Sequence, residues 1–334
     1  MRIILSCKNL NSPSYIFYKE SLKKLNLKNK SIKIFFKKFS PKILDENFDI
    51  FLFMSGTIID NLKKKDKSKY GIIDPRAANY DNFRNYDFII ANGLEEKLFF
   101  SHTNLPTFIY PVYPSVQNKK KINKKKTIIS YHGNKEHLLN MLPRITNAIK
   151  KISYDYNIEL KLIYDIKNKG SVKELDRKYL NCKVTHLQYY ENCFDKYLIN
   201  TDIGIVPQLK NFENKKIKKN IGYYLSKQLF KGQYSFSLNF KETTNLGRHF
   251  VFAQLKIPVI SDYTISSSNF INHMKNGILA YNSNDWYESI KYLIENKSKS
   301  KSIGIQLYKD WKKNFSHEVL NKRLLDFFKN KNVK

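Results

Sequence analysis

The residues best placed to do chemistry lie between Tyr234 and Asp262. An extended run ends at Phe240 and enters Lys241-Glu242-Thr243-Thr244-Asn245, after which a helical period carries Phe250, Val251, Ala253 and Leu255. Thr243, Thr244 or Asn245 can cap that helix, leaving unpaired backbone N–H groups beside the Lys241 ammonium, with Arg248 in the first turn. Unpaired donors, a helix dipole and a cation together make a phosphate site. The alternative is an ordinary capped helix with Lys241 and Arg248 in solvent. A second segment, Ser130-Tyr-His-Gly-Asn134, closes an apolar run. There Gly133 would let the backbone approach a ligand closely, and His132 offers either a general acid/base or a structural imidazole. In Thr201-Asp202-Ile-Gly-Ile-Val-Pro207, Asp202 opens a buried run whose far end reaches Gln208, and it meets either a ligand or a neighbouring backbone donor. Earlier in the chain Asp60, Asp74, Arg76, Glu95 and Glu96 follow strand ends. Any of those carboxylates has the chemistry of a base towards a hydroxyl, or of a cap, and spacing does not choose among them.

These positions need a scaffold that presents strand ends. Short apolar runs recur at Arg2–Cys7, Ser31–Phe36, Asp49–Met54, Tyr70–Ile73, Tyr86–Ala91 and Thr107–Tyr110, with helical periods between several of them. After Pro111-Val-Tyr-Pro114 comes a polar, Lys-dense stretch, 115–126, that reads as a linker. The pattern restarts at Thr127–Tyr131 and continues through Glu159–Tyr164, Lys183–Leu187, Asp202–Val206, Tyr234–Phe240, Pro258–Ser261 and Ile278–Tyr281. A single helix is expected from about Glu136 to Ile152, and others at Tyr15–Leu25, Asp285–Glu295, Ser302–Phe315 and His317–Lys329, with a Lys/Ser connection before Ser302. Buried runs alternating with amphipathic helices predict parallel sheets covered on both faces. The expectation is an α/β chain of two doubly wound, Rossmann-like domains, 1–114 and 127–315, facing a central cleft, with 316–334 packing back towards the first. Ligands bind such sheets at the carboxyl ends of strands.

Composition bounds the partners. The chain has 334 residues, 60 Lys+Arg against 29 Asp+Glu, a net charge of +31, 42% hydrophobic and 14% aromatic residues. Enough aliphatic and aromatic material is present to exclude global disorder. Only seven of the 60 basic residues are Arg, and the lysines are spread throughout, which disfavours nucleic acid as the partner. An anionic membrane surface fits such charge better, although an AT-rich coding bias would produce the same lysines. No apolar run is long enough to span a bilayer, the N-terminus lacks a signal peptide, and three unpatterned cysteines fit a reducing compartment. A cytoplasmic protein, peripheral on the inner face of the plasma membrane, is the expectation. There is no Walker A loop, G-x-G-x-x-G, H-E-x-x-H, C-x-x-C pair or G-x-S-x-G elbow, so no metal or bound cofactor is expected.

One family gathers these segments. Tyr131-His-Gly, His186-Leu-Gln, Asp202-Ile-Gly-Ile-Val-Pro207, Phe240-Lys241…Asn245…Arg248, Ile257-Pro-Val-Ile260, Asn276-Gly277 and Trp286, in that order, resemble the C-terminal half of the GT-B glycosyltransferases. The nearest group is the glycogen-synthase-like group 1 transferases that build surface polysaccharides. The resemblance covers about 127–315, and the first half fits only in its α/β alternation. It implies a nucleotide-sugar donor, a surface-glycan or lipid-linked acceptor, and a hexosyltransferase-like, retaining reaction. It also implies that Gly133 and Asn134 lie near the diphosphate-sugar and that Leu187 and Gln188 face the base. Lys241, Thr244, Asn245 and Arg248 would hold the diphosphate, leaving His132, Asp74 and Glu242 as catalytic candidates. The family's retaining members often carry two glutamates separated by seven residues before the final Pro-Val-Ile. Here those positions fall on Thr243 and Val251, with Glu242 one place off. Two other readings keep the same fold: a transferase of nucleotide-activated polyol phosphates, as in teichoic-acid-like polymer synthesis, or a non-catalytic nucleic-acid- or glycan-binding protein.

Overall fold

The computed structural model describes residues 1–28, 31–54, 67–75, 83, 85–117, 126–209 and 244–330. The chain divides into two compact units. The described residues of the first fall within 1–114, 244–247 and 312–330; those of the second fall within 115–209 and 248–311.

The first unit contains β1 (Arg2–Cys7), α1 (Pro13–Lys28), β2 (Lys33–Lys38), β3 (Ile50–Met54), β4 (Lys69–Ile73), β5 (Phe88–Ala91), α2 (Leu94–Phe99) and β6 (Thr107–Ile109). Its sheet is parallel throughout, in the order β2-β1-β3-β4-β5-β6. The order reverses at β1 and β3, a topological switch point. The inner strands β3 and β5 are buried at every position, as sheets covered on both faces require.

The second unit contains β7 (Thr127–His132), α3 (Lys135–Leu139), α4 (Arg144–Asp155), β8 (Ile158–Tyr164), α5 (Ile166–Lys169), α6 (Arg177–Leu180), β9 (Lys183–Gln188), α7 (Phe194–Tyr197) and β10 (Ile203–Val206). It continues with α8 (Gly247–Gln254) from Arg248 onward, β11 (Val259–Asp262), α9 (Ile265–Phe270), β12 (Ile278–Ala280), α10 (Ser283–Glu295) and α11 (Lys297–Phe315) as far as Trp311. Its parallel strands run β12-β11-β10-β7-β8-β9, the dinucleotide-fold order, with the switch point between β7 and β10. Two doubly wound, Rossmann-like units are therefore present, as the alternating pattern predicted. The strand expected at Tyr234–Phe240 lies outside the described residues.

Two helices differ from expectation. The single helix from Glu136 to Ile152 is two, because Pro143 has no N–H to donate and its ring would strike the carbonyl of Leu139. α3 therefore stops at Leu139, and α4 starts afresh with Ile145, Ala148, Ile149 and Ile152 buried. The break has a consequence for chemistry, since it puts Arg144 at a helix start. The Lys/Ser stretch before Ser302 is also helical, as α11 begins at Lys297. Lysine is a good helix former, and Ser300 is buried beneath that turn.

The last helix, α12 (His317–Lys329), belongs to the first unit. Asn321 accepts from the Tyr110 hydroxyl at 2.7 Å and donates to the Ser21 carbonyl at 2.9 Å. Phe327 and Phe328 both pack on the Phe88 ring, with centroids 5.6 Å apart. The His317 ring stacks on Tyr113 at 4.2 Å.

Candidate functional site

In the second unit, the loops leaving β7 and β10 flank the switch point, and sequence-derived residues converge there. Gly133 has φ +143°, a conformation side chains rarely adopt. A Cβ on it would lie 2.8 Å from the Tyr131 hydroxyl and 3.1 Å from Cδ of Arg248. The turn is thus glycine-dependent twice over, by backbone and by space. Tyr131 is fully buried, and its hydroxyl donates to the Asn134 carbonyl at 2.6 Å.

Arg248, in the first turn of α8, is half-buried rather than in solvent. Its Nη1 donates to the Pro207 carbonyl at 2.8 Å, and its Cζ lies 6.0 Å from the Tyr131 ring centroid. Burial pushes its pKa below the ordinary arginine value, and the neighbouring Tyr131 hydroxyl and Asp262 carboxylate offset this only in part. Among the described residues no carboxylate lies within ion-pair distance of it. A guanidinium so placed gains from a bound anion, which returns the stabilisation that burial removes.

His132 sits beside this pair but does different work. It is 4% exposed, its ring packed between Phe194 at 4.6 Å and Phe252 at 4.9 Å, with Nε2 facing the Arg248 carbonyl at 3.3 Å. Burial, reinforced by the Arg248 charge, holds its pKa down at about 3. The neutral imidazole positions the α8 backbone; it is poorly suited to shuttle protons near neutral pH.

The remaining sequence-derived residues are largely engaged in structure. Asn134 caps α3, and its Oδ1 also accepts from Nζ of Lys169 at 2.6 Å. Gln188 ends β9 with its whole amide committed: Oε1 accepts the N–H of Ile166 and Lys167 at 2.9 and 2.8 Å, and Nε2 donates to Asp165 and the Tyr189 carbonyl. Leu187 is half-buried in β9, in register with Ile163. Asn245 accepts from the Gly247 N–H and donates to the Val112 carbonyl, both at 2.8 Å, and Thr244 is buried. Asp202 accepts the Ile128 N–H at 2.8 Å, which favours the strand-start reading for it. Lys241 and Glu242 lie outside the described residues, as do Asp60, Arg76 and Thr243.

In the first unit, Asp74 takes φ +53° just after β4 and is buried. Asn92, after β5, donates from Nδ2 to Asp74 and, at 3.3 Å, to Glu96, while its Oδ1 accepts from the Tyr18 hydroxyl at 2.9 Å. Asp74, just after β4, and Glu96, in α2, are thus joined through the amide that follows β5. Asn92 carries no sequence signal for this beyond its place in Asn92-Gly93.

A residue missed by sequence reasoning is Asp262, the last of β11 and fully buried. It accepts from both Nη atoms of Arg144, from the Trp286 indole, and from the N–H of Gln208 and Leu209. Its signal was a carboxylate closing a fully buried strand, which demands buried donors.

No family model matches the chain. A curated relative, the DNA-directed RNA polymerase subunit beta'' of Bigelowiella natans, is 25% identical over 322 residues, spanning 88% of this chain and 20% of its own length. This chain therefore spans a fifth of the length of the curated relative it matches. Solved structures align along nearly the whole chain. A glycosyltransferase from Rickettsia africae superposes with a TM-score of 0.63 at 11% identity, covering 98% of this chain and 97% of the other. A sucrose-phosphate synthase from Thermosynechococcus elongatus gives 0.64 at 10% identity, with 98% of each chain covered. The Anabaena protein HepE, solved with UDP-glucose, gives 0.58 at 10% identity over 98% of this chain and 99% of its own. At such identities the likeness is one of fold, and the two Rossmann-like units have the architecture of the GT-B glycosyltransferases.

Proposed function

We propose that the chain is a glycosyltransferase that moves a sugar from a nucleotide-sugar donor to a surface-glycan or lipid-linked acceptor. The observation that carries this is Arg248: a half-buried guanidinium without a carboxylate partner among the described residues, beside the Gly133 turn at the switch point of a dinucleotide-type sheet. The chemistry such a group serves is departure of a nucleoside diphosphate. As the glycosidic bond breaks, negative charge grows on the leaving diphosphate, and a preorganised cation stabilises that charge more than it stabilises the ground state. Lys241 is a second cation proposed for the same diphosphate. Asp74, the described catalytic candidate on the acceptor side, is proposed as the group that meets the acceptor hydroxyl. Retention of anomeric configuration is the outcome expected from the family resemblance.

The net charge of +31 supports a further part of this reading, attachment to an anionic membrane surface from the cytoplasmic side. Among the described residues no helix is long and apolar enough to cross a membrane.

The test is a thermal-shift screen with UDP, GDP, CDP and ADP and their sugar-linked forms. A ligand at about 100 times its dissociation constant stabilises the fold by about 2.7 kcal/mol. A shift with one nucleotide, clearly reduced in Arg248→Ala and Lys241→Ala, is the expected result. A folded protein that shifts with none of them refutes the proposal.

A further inference from the structure

We propose that Asp262 is a positioning residue for the donor site, acting on Arg248 through a single peptide group. This rests on the reading of Arg248 as the diphosphate contact. Val206 ends β10, and the peptide joining Pro207 to Gln208 lies one residue beyond it. The carbonyl of that peptide accepts from Nη1 of Arg248 at 2.8 Å, and its N–H donates to Oδ2 of Asp262 at 2.7 Å. The bond is trans, so its oxygen and hydrogen point in opposite directions from one rigid plane. Fixing the N–H on Asp262 therefore fixes the direction in which the carbonyl faces Arg248. The carboxylate also polarises the peptide, making that carbonyl a better acceptor for the guanidinium.

Asp262 is itself over-determined. Oδ2 accepts a second backbone N–H, from Leu209 at 2.9 Å, and Nη2 of Arg144 at 2.8 Å; Oδ1 takes Nη1 of Arg144 and, at 3.1 Å, the Trp286 indole. Arg144 is held in turn by the Tyr281 carbonyl at 3.0 Å. Three separate elements or strand ends thus converge on one carboxylate that never meets solvent. The Gln208 side chain is also held, with Oε1 accepting from Thr264 at 3.2 Å and Ser267 at 2.6 Å. That second tether gives the rival account, in which Gln208 alone holds the loop and Asp262 only fills the core.

The two accounts part in a double-mutant cycle read by calorimetric titration with the nucleoside diphosphate that shifts the wild type, at low temperature where all variants are folded. Asp262→Asn keeps the shape but removes the charge and, in either amide orientation, sets an N–H₂ group against donors that the carboxylate accepted, so the grip on the Gln208 peptide is weakened. Misplacing a charged contact by a fraction of an ångström costs on the order of tenfold in affinity. The expected result is a loss of about tenfold in the wild-type background and less than about twofold in the Arg248→Ala background, because the effect travels through that guanidinium. Equal losses in both backgrounds, or no loss with Asp262→Asn while Arg248→Ala weakens binding, overturn the proposal and leave the transferase reading intact. A folded wild type that binds no nucleoside diphosphate overturns both. If Asp262→Asn does not fold, Arg144→Lys runs the same cycle: it keeps the charge but loses the paired contact, and a loss of about threefold, again confined to proteins with Arg248, is expected.

Discussion

Replacing Gly133 by Ala tests the site without touching any charge. At φ +143° a residue with a side chain costs on the order of 1–3 kcal/mol. The new methyl would sit 2.8 Å from the Tyr131 hydroxyl and 3.1 Å from Arg248 Cδ, so one or both must move. Tyr131 has no slack, being fully buried with its hydroxyl on the Asn134 carbonyl. Losing that bond adds about 1 kcal/mol. The sum, roughly 2–4 kcal/mol, corresponds to a drop in Tm of roughly 5–15 °C for a unit of this size. Gly170→Ala is the internal control. It too has a positive φ, +68°, but the nearest atom to its Cβ is the Lys135 ammonium at 3.8 Å, so backbone strain, on the order of 1–3 kcal/mol as at Gly133, remains without the clash. Scanning fluorimetry and urea unfolding should rank Gly133→Ala well below Gly170→Ala, and nucleoside diphosphate binding should weaken only in the former, where Arg248 is pushed. Equal melting temperatures for the two variants, or unchanged binding in Gly133→Ala, would refute the geometry assigned to the turn.

Other consequences are open to direct measurement. His132 and His317 are both buried and held at about 3, burial being the larger cause in each, so the folded state keeps them neutral while the unfolded chain protonates them near 6.5. Their contribution is complete above pH 6.5 and is lost as pH falls towards 3. Stability from urea melts should therefore fall by at most about 2 kcal/mol per histidine between pH 6.5 and 5, before most carboxylates titrate, and a flat profile would contradict their burial. Gly304→Ala in α11 should destabilise by on the order of 1–2 kcal/mol, although helix propensity alone predicts a gain of about 1. The reason is that its Cβ would lie 2.2 Å from the Lys256 carbonyl oxygen, which is backbone and cannot step aside; a stabilised variant would disprove that approach. Flotation with vesicles containing anionic lipid should carry the protein up, neutral vesicles should not, and 0.5 M salt should release it; indifference to lipid charge would end the membrane proposal.

Much of the fold could be read from residue patterns because its determinants are local. The inner strands such as β3 and β5 arise from uninterrupted apolar runs, and such runs fit a sheet covered on both faces. The strand order could not be read in the same way, since nothing local to Thr127–His132 says that Ile203–Val206 rather than Val259–Asp262 lies beside it. The helix break at Pro143 was locally written but outweighed by the apolar period running through it from Leu138 to Ile152. That period is real, as both halves bury it; only the backbone between them cannot stay helical.

The site divides along the same line. Gly133 announced itself, because a glycine closing a buried strand has few other uses. Arg248 was visible as a residue type but not as a state: whether an arginine in a first helical turn faces water or a neighbouring carbonyl depends on Pro207, 41 positions away. Asp262 was hidden for a stronger reason. A carboxylate at the end of Val-Ile-Ser-Asp looks like the polar residue that stops a strand, and by periodicity it belongs to the loop. Its burial is tolerable only because Arg144, 118 positions earlier, meets it with a paired guanidinium. That arginine reaches it from the helix start that Pro143 creates. Without the proline, Arg144 would be one more residue inside a long helix. The local feature that defeated the simplest helix reading is thus the one that lets a buried charge stand at the end of β11. Asn92 follows the same logic in the first unit: its amide joins Asp74 and Glu96, and neither carboxylate shows in sequence that the other is near. In both units the groups that hold strand ends in place are polar side chains whose partners are distant in sequence. The candidate positions could therefore be read from the scaffold, while what holds those strand ends required the tertiary contacts.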